Sequence, residues 1–258
     1  MRVTASDRTD TVVLVEPIDK ASRSDVRVAD KTKVDFAGGQ LSVKTTASGD
    51  KNGSVAITID LPAGSSLVAY LAHSDVHADG SLGECELHMA SGRVQLDRIN
   101  ALQGNIGGGE VTIGHIAERA TIDGSAFAMR IGEVMDTVKL SSASGQIWIG
   151  HASADLDLTS GSGGFDIDRA DGSVTARTGD GVIRIGRLTR GRAELANHSG
   201  NIEVGISEGT AARVDANSKR GSVRNSVPAQ ETPVTFGNRL TVHARTRHGD
   251  ITLQRAAN

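Results

Sequence analysis

At 258 residues the chain is long enough for one or two ordinary domains, but only 2 % of it is aromatic and 31 residues are Gly, so its core must be built from small and branched aliphatic side chains. Lys and Arg total 28 against 31 Asp and Glu, and a formal net charge of −3 gives no electrostatic reason to expect nucleic acid or an anionic membrane surface as partner. The single Cys85 excludes an intrachain disulfide, and no apolar run is long enough to cross a membrane as a helix.

Residues 1 to 66 read as an N-terminal β cap. Strands are expected at Val12 to Val15, Val26 to Val28, Val34 to Phe36, Leu41 to Val43 and Val55 to Leu61, separated by clusters of Asp, Gly, Lys and Asn. The unbroken run Val12-Val13-Leu14-Val15 suggests a strand covered on both faces. Leu61-Pro62-Ala63-Gly64 ends a strand with a turn. The opening MRVTASDRTD lacks the apolar core of a secretory signal, so a cytoplasmic location without membrane insertion is expected, or the cell surface if an upstream segment precedes it.

From Leu67 a pair of apolar residues recurs every nine positions: Leu67, Val76, Cys85 and Val94, each followed two residues later by Ala69, Ala78, Leu87 and Leu96. After a one-residue slip through Gly107-Gly108-Gly109, the same pair runs without insertion from Val111 and Ile113 to Ile183 and Ile185. A spacing of two places both members on one face of a strand, whereas a helix would scatter them. Gly114, Gly132, Gly150 and Gly186 follow alternate strands at multiples of eighteen, as corners that need positive φ, with Asp168 in the missing slot. These two periods predict an all-β, single-stranded β-solenoid with coils of about eighteen residues and two short strands, and irregular β caps at both ends. Helix content should be close to nil. With coils about 4.8 Å apart, some nine coils make a rod roughly 40 Å long. Cys85 falls on an inward position and reads as a small buried apolar residue.

The repeats occupy residues 67 to 225 of one continuous domain, and residues 226 to 258 form a C-terminal loop and closing strands. The loop is placed at Asn225 to Thr235 around Pro228 and Pro233, with strands at Leu240 to Ala244 and Ile251 to Leu253.

The run Ile57-Thr58-Ile59-Asp60-Leu61-Pro62-Ala63-Gly64 and the repeats Ser91-Gly92-Arg93-Val94-Gln95-Leu96, Ser144-Gly145-Gln146-Ile147-Trp148-Ile149 and Ser199-Gly200-Asn201-Ile202-Glu203-Val204 resemble a bacterial β-strand-repeat family of unknown function that carries an adhesin label. The closing His248-Gly249-Asp250-Ile251-Thr252-Leu253 is similar to that family's last repeat. The likeness spans about residues 55 to 253. It implies a β-solenoid, with no catalytic residues to carry over.

Between the inward pairs, Thr112, Arg130, Trp148, Asp166, Arg184 and Glu203 form an outward row on successive coils. Arg130 can stack on Trp148, and Asp166 can pair with Arg184. The row is either a recognition patch for a partner protein or glycan, with Arg130, Trp148, Asp166 and Arg184 as its binding residues, or a ladder that stiffens the sheet. His115, Glu133, His151, Arg169 and Arg187 occupy a corner row at eighteen-residue steps, where two His two coils apart converge poorly on a metal. Gly161 to Asp168 has a faint likeness to a calcium-binding nonapeptide but lacks the repetition such sites share. Minimal turns from Val111 to Ile185 leave no walls for a sugar cleft, and no nucleophile elbow or phosphate loop is present. The expectation is a non-catalytic solenoid without metal or cofactor, serving an unidentified protein partner as a binding or scaffolding surface. An adhesin or carbohydrate binder and a self-assembling structural protein are the alternatives.

Overall fold

The computed structural model describes residues 1–45, 53–227 and 239–256. The N-terminal part comprises β1 (Arg2–Ser6), β2 (Val12–Pro17), α1 (Arg23–Lys31), β3 (Lys33–Ala37), β4 (Gln40–Lys44) and β5 (Val55–Pro62). The regular coils follow as β6 (Leu67–Ile116), β7 (Ala120–Val134), β8 (Val138–Ser144), β9 (Ile147–Ala152), β10 (Leu156–Ser162), β11 (Phe165–Ala170), β12 (Val174–Asp180) and β13 (Ile183–Leu188). The C-terminal part is β14 (Gly191–Ser199), β15 (Ile202–Ile206), β16 (Ala211–Arg220), β17 (Val223–Asn225), β18 (Arg239–His248) and β19 (Ile251–Arg255).

Strands pair in parallel with their equivalents one coil on. Ala120, Val138, Leu156 and Val174 form one column, and Met129, Ile147, Phe165 and Ile183 another, each step spanning eighteen residues. The chain is therefore nearly all β and winds as a solenoid. Each nine-residue apolar pair from Val111 to Ile185 points inward and is buried. Cys85 is also buried, and its surroundings push the thiol up to about 12 because burial disfavours the thiolate. A coil such as Val138 to Ala152 has further inward positions at Ser142 and Ala152.

The Ser142 position continues as a buried polar column through Ser160, Thr178, Asn197 and Thr246. Thr178, Asn197 and Thr246 donate to carbonyls of the glycine turns, and the two serines bond to each other. Ser142 donates to Ser160 at 3.1 Å, Thr178 donates to the Gly163 carbonyl at 2.9 Å, and Asn197 Nδ2 donates to the carbonyls of Gly181 and Gly200 at 2.9 and 3.0 Å.

The two sets of glycines divide differently from expectation. Positive φ belongs to the turn glycines Gly145, Gly163, Gly181 and Gly200, not to Gly114, Gly132, Gly150 and Gly186. The latter are small because coils stack closely: a Cβ on Gly132 would meet the Gly114 carbonyl at 2.4 Å, and one on Gly150 the Gly132 carbonyl at 2.5 Å.

Three features of the N-terminal part also differ. Residues Val26 to Val28 lie in α1 and not in a strand. Ser22 caps that helix by accepting from the Asp25 amide, and the Asp25 carboxylate accepts from the amides of Asp19 and Ser54, contacts that outweigh the β preference of two valines. β2 lies antiparallel on β5 with Val12 and Leu14 half exposed, so it is not covered on both faces. β1 does not precede the array in space, because it lies parallel between β5 and β6, Val3 facing both Ile59 and Ala78.

The C-terminal end is likewise interleaved: strands lie where they are expected, over Leu240 to Ala244 and Ile251 to Leu253, but they do not close the stack. β18 pairs with β14 on one side and β16 on the other, and β19 lies between β15 and β17. The last coil in sequence is thus the last but one in space. Side-chain size accounts for the order: Leu240, Val242, Ala244, Ile251 and Leu253 present more apolar surface than Ala212, Val214, Ala216 and Val223 at the matching positions of the outer coil, and are the ones fully buried. The more apolar coil takes the sandwiched place. Among the described residues, nothing pairs with the outer edges of β16 and β17. Pro228 and Pro233, with the loop expected around them, lie outside the described residues.

Candidate functional site

On β9, Ile147 and Ile149 point into the core, so Trp148 between them must face outward. The parallel register carries this position from Thr112 through Arg130, Trp148, Asp166 and Arg184 to Glu203. The structure brings all four expected binding residues into one column. The Arg130 guanidinium lies over the Trp148 ring, 4.9 Å from its centroid. Arg184 Nη1 donates to Asp166 Oδ1 at 2.8 Å, with both side chains partly exposed. The ring leans along its strand toward Gly150, where a Cβ would come within 3.0 Å of Trp148 Cη2. That absent side chain gives the indole a seat.

Beyond the glycines the chain bends, and the corner row forms a hydrogen-bonded line. Glu133 lies between two histidines, its Oε2 3.1 Å from His115 Nδ1 and its Oε1 3.2 Å from His151 Nδ1. His151 Nε2 reaches Asp171 Oδ2 at 2.8 Å, and Asp171 also accepts from Arg169 Nε at 3.0 Å and Thr189 Oγ1 at 2.7 Å. Hydrogen bonds from His151 and His115 lower the Glu133 carboxyl below its ordinary range. For Asp171 burial acts upward, but the bonds from Arg169, Thr189 and His151 outweigh it and bring the carboxyl down to about 2. Both ring nitrogens of His151 and Nδ1 of His115 thus lie against carboxylates, and among the described residues no cluster of His, Cys, Asp or Glu has the arrangement of a metal site.

Asp171 escaped the sequence reading. Its signal was present, since Ser153, Asp171, Thr189 and Ser207 form a polar row at eighteen-residue steps just past the corner. In the Gly161 to Asp168 stretch, Asp166 is engaged by Arg184 and Asp168 is exposed, an arrangement of surface side chains. A shallow groove lined by Lys20, Ala21, Arg23, Val26, Arg27 and Asp30 lies on α1 and the turn before it, and contains none of the ladder. No helix among the described residues is long and apolar enough to cross a membrane.

A family model described as Toastrack DUF4097, a domain of unknown function, matches residues 1–254, so the similarity reaches through the N-terminal part as well as the repeats. The match gives the adhesin label no support. No curated protein and no solved structure matches the chain.

Proposed function

The chain belongs to the Toastrack DUF4097 family, and from that premise we propose that it acts without catalysis, as a rigid scaffold whose ladder face recognises another protein. The observation that carries this reading is the Arg130–Trp148 stack beside the Asp166–Arg184 pair. Trp and Arg are the residue types that dominate binding hot spots. Here the two are stacked on each other, so they would lose less side-chain entropy when a partner docks. From Thr112 to Glu203 the column spans five coil steps, about 24 Å at the usual strand separation. That reach suits a standard protein interface of roughly 800 Å² on each side.

The test compares the parent with Trp148→Ala and Arg184→Glu as baits, after circular dichroism has shown all three folded. A partner captured by the parent, then purified and found to bind each variant at least tenfold more weakly, or about 1.4 kcal/mol, would support the reading. Equal affinity for all three would make the ladder structural. A second reading, end-on self-assembly, is favoured by the outer edges of β16 and β17, which have no partner among the described residues. It requires a mass that grows with concentration in analytical ultracentrifugation.

A further inference from the structure

Charge is distributed unevenly along the sequence. Residues 211–258 hold eight Lys and Arg against Asp215, Glu231 and Asp250, a net of +5, whereas residues 1–210 hold twenty against twenty-eight Asp and Glu, a net of −8. The near-neutral total conceals a basic end. Within it, the register of β14, β18 and β16 places Ser199, His248 and Arg220 in one row. The preceding residues, His198, Arg247 and Lys219, flank that row on the outward face, because Asn197, Thr246 and Ser218 beside them point inward. The His198 and His248 rings are 5.5 Å apart and tilted by 43°.

These cations have no internal use. Arg245 is held by Asp215, and Arg255 donates to the carbonyls of Ser207 and Thr210. No ion pair forms at Lys219, Arg220 or Arg247 among the described residues. The carboxylates of the surrounding elements are otherwise occupied or distant: Asp250 accepts from the Ser222 amide, and Asp180 lies in register with Ser199 on the far side of β14 from His248. Burial lowers the His248 pKa, and Arg220, Arg247 and His198 add to the shift in the same direction. Crowding Lys219, Arg220 and Arg247 beside two imidazoles on adjacent strands costs the free protein repulsion that an oxyanion would relieve. Two guanidinium forks beside two imidazoles match the donor pattern that tetrahedral oxyanions accept. No Phe, Tyr or Trp occurs in β14, β16 or β18. That composition favours contact with the charged group itself over stacking on a base.

We propose that His198, Lys219, Arg220, Arg247 and His248 form a binding site for a phosphate or sulfate group, which binds more tightly as the two imidazoles take up protons. The site is on a different part of the molecule from the Trp148 ladder and is independent of the protein-recognition reading.

The test follows the histidine ring resonances of the full chain during titration with sulfate, exchanged for chloride at constant ionic strength, at about pH 5.5 and about pH 7.5. Sulfate keeps its charge over this range, so any pH dependence belongs to the protein. Saturable shifts of His198 and His248 are expected, with roughly tenfold tighter binding at the lower pH, the effect of a dianion meeting newly charged imidazoles at the surface. The His248 pKa should rise when sulfate is bound. The double variant R220Q/R247Q should lose the saturable shifts without a change in circular dichroism, and H198Q/H248Q, followed by calorimetry, should keep weak binding but lose its pH dependence. Linear, non-saturating shifts in the parent, or unchanged saturation in R220Q/R247Q, would overturn the site, and equal affinity at both pH values would overturn the role of the histidines. Co-sedimentation with phosphatidylglycerol vesicles but not phosphatidylcholine vesicles, lost in R220Q/R247Q, would identify the source as a lipid headgroup. Sulfate binding without co-sedimentation would identify a soluble ligand.

Discussion

At Asp171, three side-chain donors decide a charge state. Its carboxyl is held to about 2, below the value near 3.9 expected in an unfolded chain, so the folded state binds its proton less readily. The stability this supplies is present above about pH 5 and is lost as pH falls toward 2. The Asp171 side chain is only 19 % exposed, and the contribution, discounted for solvent screening, is on the order of 1–2 kcal/mol. Asp171→Asn should therefore lower urea-unfolding stability by about that amount at pH 7, with the gap between parent and variant closing toward pH 2. A gap that persists unchanged at low pH would mean that the carboxylate charge is not what matters. Trp148 makes the opposite case. Its ring is outside the core, so Trp148→Ala should leave the fold intact and cost only the Arg130 stack and some surface packing, about 1 kcal/mol by thermal or chemical unfolding.

Within a coil, the buried side chains do two kinds of work. Ile147, Ile149, Val138 and Leu140 supply apolar area, and Ile149→Asp, an unpaired charge in a fully buried column, should abolish the cooperative unfolding transition. Thr178 and Asn197 hold the turns, and Ser142 bonds to Ser160. Asn197 joins the carbonyls of Gly181 and Gly200, one on each of two successive coils, which ties those coils together at their glycine turns. Asn197→Ala would leave both carbonyls without that donor and should cost about 2–4 kcal/mol in chemical unfolding, more than an exposed Asn such as Asn217 would. A cost equal to that of the surface substitution would show that the polar column is incidental.

Over the whole molecule, the first and last strands are tucked inside the array instead of lying at its extremities. β1 sits between β5 and β6, and the β18–β19 coil sits between two earlier coils, so releasing either must break pairing on two sides. This geometry makes the outer coil dependent on residues that follow it. A chain ending at Asn225 removes the β18–β19 layer, and amide hydrogen exchange should then show loss of protection in β16 and β17 while residues 111–188 remain protected. Protection retained in β16 would mean that it can dock directly on β14, and that the interleaved order is a preference and not a requirement.

The sequence by itself determined the coil. A nine-residue apolar pair admits one backbone with alternating faces, and its repetition leaves stacking as the way to bury the row, so the inward columns, the outward order from Arg130 to Arg184 and the corner from His115 to Arg187 could all be read from spacing. Positions set by local periodicity are legible because each depends on neighbours two or eighteen residues away. Tertiary structure alone decided what depends on longer range. The role of Gly150 was set by the carbonyl of the coil beneath it, and the Asp171 network by a corner that aligns two polar rows. The turn of α1 was set by Asp25 reaching Ser54 across an intervening hairpin. The order of the last coils, and with it the cluster of His198, Arg220, Arg247 and His248, was decided by which coil had more apolar surface to bury. A one-dimensional period contains no term for that competition, because it compares segments that are separated in the chain and become alternatives only when both can occupy the same place on the stack.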